Sequence, residues 1–311
     1  MKLVPTNYLI DSHCHIHDTN DFSSTPEEII ARANQNNVRQ IIVIGTSHED
    51  SLAARNFANS HENIFWSYGI HPSETENGAN RPAKLANFGL SGCGGGSAEI
   101  SKAATFSSEH EEGGSRGRVP KIFRSETRID FGKDNARQDP RSEKLVAIGE
   151  VGLDYHYKPY DREAQIKLFE EMIALSKKHN LPMIFHIREA FDDFFPIVEN
   201  QHVTRAVVHS FSDNKENLAK SLDHGFYIGV NGLATFADIP LPPLERMLLE
   251  TDAPYLTPSP FRGKINESAY IKTIAEYLAS KLNIPLEKIT EETTKNVQTL
   301  FQLPQPILRA S

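Results

Sequence analysis

The stretch Tyr8-Leu9-Ile10-Asp11-Ser12-His13-Cys14-His15 shows side by side the two features that recur along the chain and decide its fold. A short apolar run, typical of a buried strand, is followed at once by acidic and imidazole side chains. Alternate residues of a strand face the same side, which predicts one shared face for Asp11, His13, His15 and His17. Burying that face without compensation would cost several kcal/mol, so it should meet water, carboxylates or a metal ion.

Similar apolar runs recur along the chain, at Ile41–Ile44, Ile64–Ile70, Leu145–Ile148, Met183–Phe185, Ala206–Val208, Phe226–Val230 and Met247–Leu249. Helix-start signals lie between them, such as Thr25-Pro26-Glu27-Glu28, in which a cap residue precedes proline and glutamate. Alternating strands and helices predict a parallel sheet, and eight strands predict a (β/α)8 TIM barrel formed by residues 1–311 as one domain. A doubly wound open sheet is the alternative, although no phosphate-binding glycine fingerprint follows an early strand.

Residues 76–143 interrupt this alternation between the third and fourth strands. Ten of the 18 glycines lie there, including Gly92-Cys93-Gly94-Gly95-Gly96, and apolar periodicity is weak. This low-complexity composition predicts a mostly disordered insertion. The alternative is a loop that grips substrate, because five basic side chains cluster in it, namely Arg116, Arg118, Lys121, Arg124 and Arg128.

Composition limits the classes of function. The 311 residues are 39% hydrophobic, which is enough for a sizeable core, and no apolar run approaches the roughly 20 residues that cross a membrane. No secretory signal is evident, so we expect a cytoplasmic location, with the nucleus as the alternative. The net charge of -8 argues against a broad electrostatic grip on duplex nucleic acid. A metal centre would add local positive charge that this count omits.

Polar residues of metal-binding type follow five of the apolar runs, at His13, His15, Glu150, His186, His209 and Asp252. In a barrel the carboxyl ends of the strands converge on one rim, where barrel enzymes have their active sites. Imidazoles and carboxylates together suit divalent ions such as Zn, Mn or Fe. Six ligands exceed the need of one tetrahedral site, so a two-metal site with a bridging carboxylate fits better.

Each of these residues also has an ordinary structural interpretation. His186 or His209 alone is more often a hydrogen-bonded core histidine, Glu150 could cap a helix, and Asp252 in Thr-Asp-Ala-Pro could make a turn. Their common position just after an apolar run favours the metal site, since independent structural roles would not produce it.

The sequence resembles the TatD family of metal-dependent hydrolases, which belongs to the amidohydrolase-like barrels. The resemblance spans almost the whole chain in order and rests on these motifs: Asp11-Ser12-His13-Cys14-His15, Gly69-Ile70-His71-Pro72, Ala147-Ile148-Gly149-Glu150-Val151-Gly152-Leu153-Asp154-Tyr155, Phe185-His186-Ile187-Arg188-Glu189-Ala190, Val208-His209-Ser210-Phe211-Ser212, Ile228-Gly229-Val230-Asn231-Gly232 and Glu250-Thr251-Asp252-Ala253-Pro254-Tyr255-Leu256. It implies two divalent ions (Mg, Mn or Zn), with one ion on His13, His15 and Asp252, the other on His186 and His209, and Glu150 as the bridge.

The resemblance also implies substrate-side roles for Asp154, Arg188 and the Arg262-Gly263-Lys264 segment. Two departures from the family pattern stand out. Residues 76–143 replace a much shorter helical segment, and the stretch between Asn231-Gly232 and Asp252 is shorter than usual. That stretch contains Asp238–Leu244 (DIPLPPL), whose three prolines make a regular crossover helix improbable.

A binuclear centre suits phosphodiester hydrolysis without a covalent intermediate. We assign Asp252 as the base for the attacking water, Glu150 as the residue that fixes the metal pair, and Arg188 as an electrophile for phosphate oxygens. The resemblance implies a deoxyribonuclease, acting 3′ to 5′ on single-stranded DNA ends, with RNA or tRNA as further candidate partners and a monomer expected. D-aminoacyl-tRNA deacylation, a phosphatase activity and a non-catalytic metal-binding barrel are the alternatives.

His17 is predicted not to bind metal, although it continues the spacing of His13 and His15. Residues four apart on a strand are separated by roughly 13 Å, whereas metal–nitrogen bonds are only about 2.1 Å long. We therefore expect His17 to line the pocket or to bond to a loop.

Overall fold

The structure, a computed structural model, describes residues 7–75 and 144–307, so the predicted insertion at 76–143 lies outside the described residues. Eight parallel strands form one sheet in which each strand pairs with the next along the chain. They are β1 (Leu9–Cys14), β2 (Val38–Ile44), β3 (Ile64–Tyr68), β4 (Leu145–Asp154), β5 (Met183–Arg188), β6 (Ala206–Val208), β7 (Tyr227–Val230) and β8 (Met247–Leu249). This unbroken order confirms the (β/α)8 barrel, because a doubly wound sheet would reverse its order at a switch point.

Helices alternate with most of the strands, as predicted. They are α1 (Pro26–Gln35), α2 (His48–Ser60), α3 (Arg162–His179), α4 (Phe191–Asn200), α5 (Lys215–Asp223), α6 (Ile271–Leu282) and α7 (Leu286–Phe301). Helix α1 begins as expected, because Thr25 Oγ1 accepts from the Glu28 amide and the Glu28 carboxylate accepts from the Thr25 amide. Within the described ranges no helix combines the length and the apolar character needed to cross a bilayer.

The connection between β7 and β8 has no α-helix, which confirms the prediction from its prolines. Two short 3-10 turns, Gly232–Thr235 and Leu244–Arg246, take the place of a crossover helix. Helix α7 compensates, because Asn296 Nδ2 donates to the carbonyl oxygens of Leu244 and Met247 at 2.9 Å each. A polar side chain from a later helix thus satisfies backbone groups that a missing helix leaves open.

The ends of three strands differ from the sequence expectation. The polar site residues were expected just after the apolar runs, yet His13 lies within β1, Glu150 within β4 and His186 within β5. Backbone pairing continues past the apolar residues, for example between Gly152 and His186. A strand keeps its ladder wherever its backbone is paired, so a change to polar side chains does not mark its end.

The segment after β8 joins the last strand to the first. The Asp252 amide donates to the His13 carbonyl at 2.9 Å, and the His15 amide donates to the Ala253 carbonyl at 2.7 Å. The buried Asp11 carboxylate accepts from the amide and the hydroxyl of Thr251, at 2.9 and 2.6 Å. These bonds nearly close the barrel and bring the beginning of the chain beside residue 252.

The barrel core is apolar and extends from the strands to α7. Its cluster of buried residues comprises Tyr8, Ile10, Ile42, Ile44, Phe65, Val146, Ala147, Ile184, Val207, Leu248, Val297, Leu300, Phe301 and Leu303. Burying one such side chain contributes about 1.5–3 kcal/mol. This rigid core supports the polar side chains at the carboxyl ends of the strands.

Candidate metal centre

The first group of metal-type side chains joins the two ends of the barrel sheet. It consists of His13, His15 and Asp252, whose ligand atoms lie within 4.8 Å of one another. Both histidine Nε2 atoms are 3.6 Å from Oδ1 of Asp252. The bonds that close the barrel hold these backbones together, so the fold itself assembles this group.

A second group centres on the carboxylate of Glu150, which is 4% exposed. Its Oε2 is 3.4 Å from Nε2 of His13, and its Oε1 is 3.2 Å from Nε2 of His209. The two imidazole rings stack with centroids 3.8 Å apart and planes 11° apart. One buried carboxylate thus faces histidines from two distant strands.

A third group contains a residue to which the sequence analysis gave no role. It consists of His71, Asp154 and His186. The ring of His186 lies between two carboxylates, with Nδ1 at 2.7 Å from Oε1 of Glu150 and Nε2 at 3.1 Å from Oδ2 of Asp154. His71 lies three residues after the end of β3, and its Nε2 is 3.8 Å from Oε1 of Glu150. Its position in Gly69-Ile70-His71-Pro72, directly after the predicted strand Ile64–Ile70, was the signal that could have identified it.

The predicted metal pairs agree only in part with these groups. His13, His15 and Asp252 come together as the resemblance implies, and Glu150 contacts both other groups. His209 lies with His13 and Glu150, however, while His186 lies with His71 and Asp154. The pairing of His186 with His209 on one ion therefore stays a prediction.

The donor set fits divalent ions. Both ring nitrogens of His13 are buried and have no hydrogen-bond partner within the part of the chain that the structure describes. A buried imidazole without partners is costly, and a metal ion would satisfy one of its nitrogens. Imidazole nitrogens and carboxylate oxygens are the ligands of Zn and Mn sites in proteins.

The charges in the centre are strongly coupled. Burial alone would raise the pKa of Glu150, but the nearby imidazoles of His209, His13 and His186 outweigh it and hold this pKa well below its usual range. Burial alone would lower the pKa of His209, but the charges of Glu150 and Glu250 raise it well above the usual value. Burial and the neighbouring His186 lower the pKa of His71 to about 4. The ionised form of Glu150 is therefore favoured, as is the protonated form of His209 when no ion is bound.

Glu250 is a second residue to which the sequence analysis gave no role. It is 1% exposed, and its Oε1 accepts from the Ser210 amide at 2.6 Å. The same oxygen lies 3.3 Å from Nδ1 of His209. A carboxylate in this position would orient the imidazole and strengthen it as a ligand of a bound ion.

His17 turns away from the three groups. Its Nε2 is 2.8 Å from Oδ1 of Asp50. The other carboxylate oxygen of Asp50 accepts from the amide and the hydroxyl of Thr46 at 2.8 and 2.9 Å. Because β1 ends at Cys14, the shared face expected for residues 11 to 17 does not form.

The predicted substrate-side residues divide into two sets. Asp154 lies among the metal-type side chains, beside His186. Arg188, at the end of β5, lies over the ring of Tyr157 at 5.0 Å. Arg262 lies over Phe236 at 3.9 Å, and Lys264 lies 5.5 Å from the ring of Phe261. These three cations are outside the metal-type groups.

Comparison with known proteins gives a consistent result. A family model described as "TatD related DNase" matches residues 10–302. An uncharacterised metal-dependent hydrolase of Buchnera aphidicola is 31% identical over 309 residues, covering 95% of this chain and 100% of that protein. The 3′-5′ ssDNA/RNA exonuclease TatD of Pantoea ananatis is 27% identical, covering 91% and 95%. The crystal structure of YJJV, a TatD homologue from Escherichia coli K12, matches with a TM-score of 0.71 and 25% identity, covering 96% of this chain and 100% of that one. The chain therefore belongs to the TatD family of metal-dependent hydrolases.

Proposed function

We propose that this hydrolase cleaves phosphodiester bonds of DNA with two divalent ions, removing nucleotides from the 3′ end of single strands. The observation that supports it most is Glu150, a buried carboxylate within 4 Å of histidines from all three groups. One carboxylate between two ions is typical of sites that stabilise both the attacking and the leaving oxygen of a phosphodiester. The name of the Pantoea relative, a 3′-5′ ssDNA/RNA exonuclease, supports the polarity and the substrate class.

Bound divalent ions would supply an activated water and charge stabilisation at the phosphate. Asp252 is the proposed proton acceptor, because its side chain is 13% exposed and its Oδ1 faces both His13 and His15. Burial alone would raise its pKa, but neighbouring histidines lower it, so this carboxylate is ionised and ready to accept.

Arg188 is the proposed ligand of the phosphate oxygens. It follows His186 by two residues on β5, and its NH1 donates to the Tyr157 hydroxyl at 3.3 Å. A guanidinium binds phosphate through paired charge-assisted hydrogen bonds. Exchanging the single bond to Tyr157 for such a pair would favour binding.

Exposed aromatic rings beside the centre support the preference for single strands. Tyr157 is 61% exposed and contacts Arg188, while Tyr255 is 58% exposed and its ring centroid is 6.4 Å from that of His15. Unpaired bases stack on such rings, and each stack contributes about 1–3 kcal/mol. A net charge of -8 gives little long-range attraction for duplex DNA.

The test is a panel of labelled substrates under Mg, Mn and Zn: single-stranded DNA, duplex DNA, RNA, an aminoacyl-tRNA and a simple phosphodiester. We expect single-stranded DNA to shorten from its 3′ end, and a chelator to abolish the reaction. Glu150→Ala and Asp252→Ala should each reduce the rate by roughly 100-fold or more. Metal-loaded protein that leaves DNA intact but cleaves the aminoacyl ester would establish a deacylase instead.

A further inference from the structure

The imidazole of His71 is held rigidly at the edge of the centre. Its amide donates to the Thr46 carbonyl at 2.7 Å, and its carbonyl accepts from the Glu74 amide at 3.0 Å. Its ring meets that of His186 edge-on, with centroids 4.3 Å apart. Its Nε2 is therefore directed to one place, the space between Glu150, Asp154 and His186.

The contacts of the other ring nitrogen, Nδ1, determine which nitrogen of the neutral His71 ring carries the hydrogen. The Ser73 amide donates to Nδ1 of His71 at 3.2 Å, and the Ser73 hydroxyl lies 2.8 Å from the same atom. A backbone amide can only donate, so Nδ1 presents its lone pair to Ser73. In the neutral ring the hydrogen is then on Nε2, the atom that faces the centre.

His15 has the opposite arrangement. Its Nδ1 is 3.1 Å from the carbonyl oxygen of Ile44, which can only accept, so Nδ1 carries the hydrogen. Its Nε2 then presents a lone pair to Asp252 and the centre. Histidines that bind metals usually donate their other N–H to a carbonyl or a carboxylate. His15 meets this condition, whereas His71 does not.

From this contrast we infer that His71 donates a hydrogen bond from Nε2 to an anionic oxygen of the substrate and does not bind an ion. The inference deepens the proposed function and rests on it. Glu150, at 3.8 Å, is beyond hydrogen-bond distance, so it does not occupy the donor. The side chain is 18% exposed, so a phosphate oxygen can reach it. A fixed donor at an oxygen that gains charge stabilises the transition state.

Two measurements test the inference without relying on turnover. In protein with ¹⁵N-labelled histidines, the two ring nitrogens of His71 should show the shifts of a neutral ring protonated at Nε2. In calorimetric titration with inorganic phosphate, the Mn-loaded His71→Ala variant should bind roughly 10- to 100-fold more weakly than the parent. His71→Gln, which keeps an N–H at similar reach, should recover part of the loss.

Metal analysis and a control variant complete the experiment. His71→Ala should retain its Mn content, whereas His15→Ala should lose it. His61→Gln is the matched control, because His61 precedes β3 at the opposite end of that strand and its ring nitrogen Nδ1 bonds locally, to Phe57 and Ser60. This control should change neither the Mn content nor the affinity for inorganic phosphate.

Three outcomes would overturn the inference: a His71 ring protonated at Nδ1, a loss of Mn in His71→Ala equal to that in His15→Ala, or unchanged phosphate affinity in His71→Gln and His71→Ala. Failure of the parent protein to cleave DNA would refute the proposed nuclease instead. The phosphate titration and the ¹⁵N shifts would still report on His71 in that case.

Discussion

Replacing Gly229 with alanine is expected to weaken metal binding, because the new methyl group would displace the carboxylate of Glu250. Gly229 lies in β7, and a Cβ there would be 2.3 Å from Oε2 and 2.6 Å from Cδ of Glu250. Ordinary contact begins at 3.4 Å, so the Glu250 carboxylate has to move by about 1 Å, the difference between 3.4 and 2.3 Å. Glu250 is 1% exposed, so it cannot move into solvent.

The expected magnitude follows from the bonds of Glu250. A shift of this size lengthens its 2.6 Å bond from the Ser210 amide and its 3.3 Å approach to Nδ1 of His209. A lost charged hydrogen bond costs about 1.5–3 kcal/mol and overpacking about 1–3 kcal/mol. Because both arise from one displacement, we expect the free energy of unfolding to fall by roughly 2–4 kcal/mol. Metal affinity should fall by roughly 10- to 100-fold, as for other carboxylates that orient a ligating histidine.

The assay combines urea denaturation with calorimetric titration of Mn. Gly225→Ala is the control, because a Cβ there meets nothing within 4 Å and only its φ of +81° is unfavourable. This control should lose about 1 kcal/mol of stability and keep its metal affinity. A Gly229→Ala protein with the metal affinity of the parent would refute the reasoning that Glu250 orients His209.

Three further predictions concern the centre and its support. Metal affinity should still be rising with pH above 6.5, the ordinary pKa of histidine, because the raised pKa of His209 means that this ring must lose a proton before it can bind, and titrations at several pH values would show it. His17→Ala should retain the metal content that His15→Ala loses, because His17 contacts Asp50, and equal losses in elemental analysis would contradict the prediction that His17 does not bind metal. Thr251→Val should lower the free energy of unfolding by about 1–3 kcal/mol, because it removes the hydroxyl that donates to buried Asp11, and an unchanged urea midpoint would contradict this.

The eight strands were predictable because apolar runs of three to seven residues alternated with helix signals. The positions at which the strands end were harder to predict. The apolar run at Leu145–Ile148 ends six residues before β4 does, because pairing with β5 continues to Asp154 under side chains that face the centre. The prolines of the β7–β8 connection did predict its lack of a helix, since proline removes a backbone donor directly.

The site was predictable as a set of residue types, and its internal contacts were not. His13, His15 and Asp252 came together because their strands are neighbours once the barrel closes. The grouping of His71 with His186 and Asp154 depends on ring positions across β3, β4 and β5. The role of Glu250 depends on a distance to His209 that no spacing reveals. Contacts between side chains from distant strands require coordinates.

A metal ion bound where the barrel closes would also affect the unfolded chain, because it would connect residues from the two ends of the sequence. Asp11 and Thr251 are 240 positions apart, and His13 and Asp252 meet beside them. An ion held by both ends would act as a reversible cross-link around nearly the whole polypeptide, much as a disulfide would. Closing so long a loop in advance removes conformational entropy from the unfolded state, a contribution on the order of 5 kcal/mol in the chain-entropy model. Removing the ion should therefore free the terminal strands first, and their amides should exchange with deuterium before those of β4 and β5.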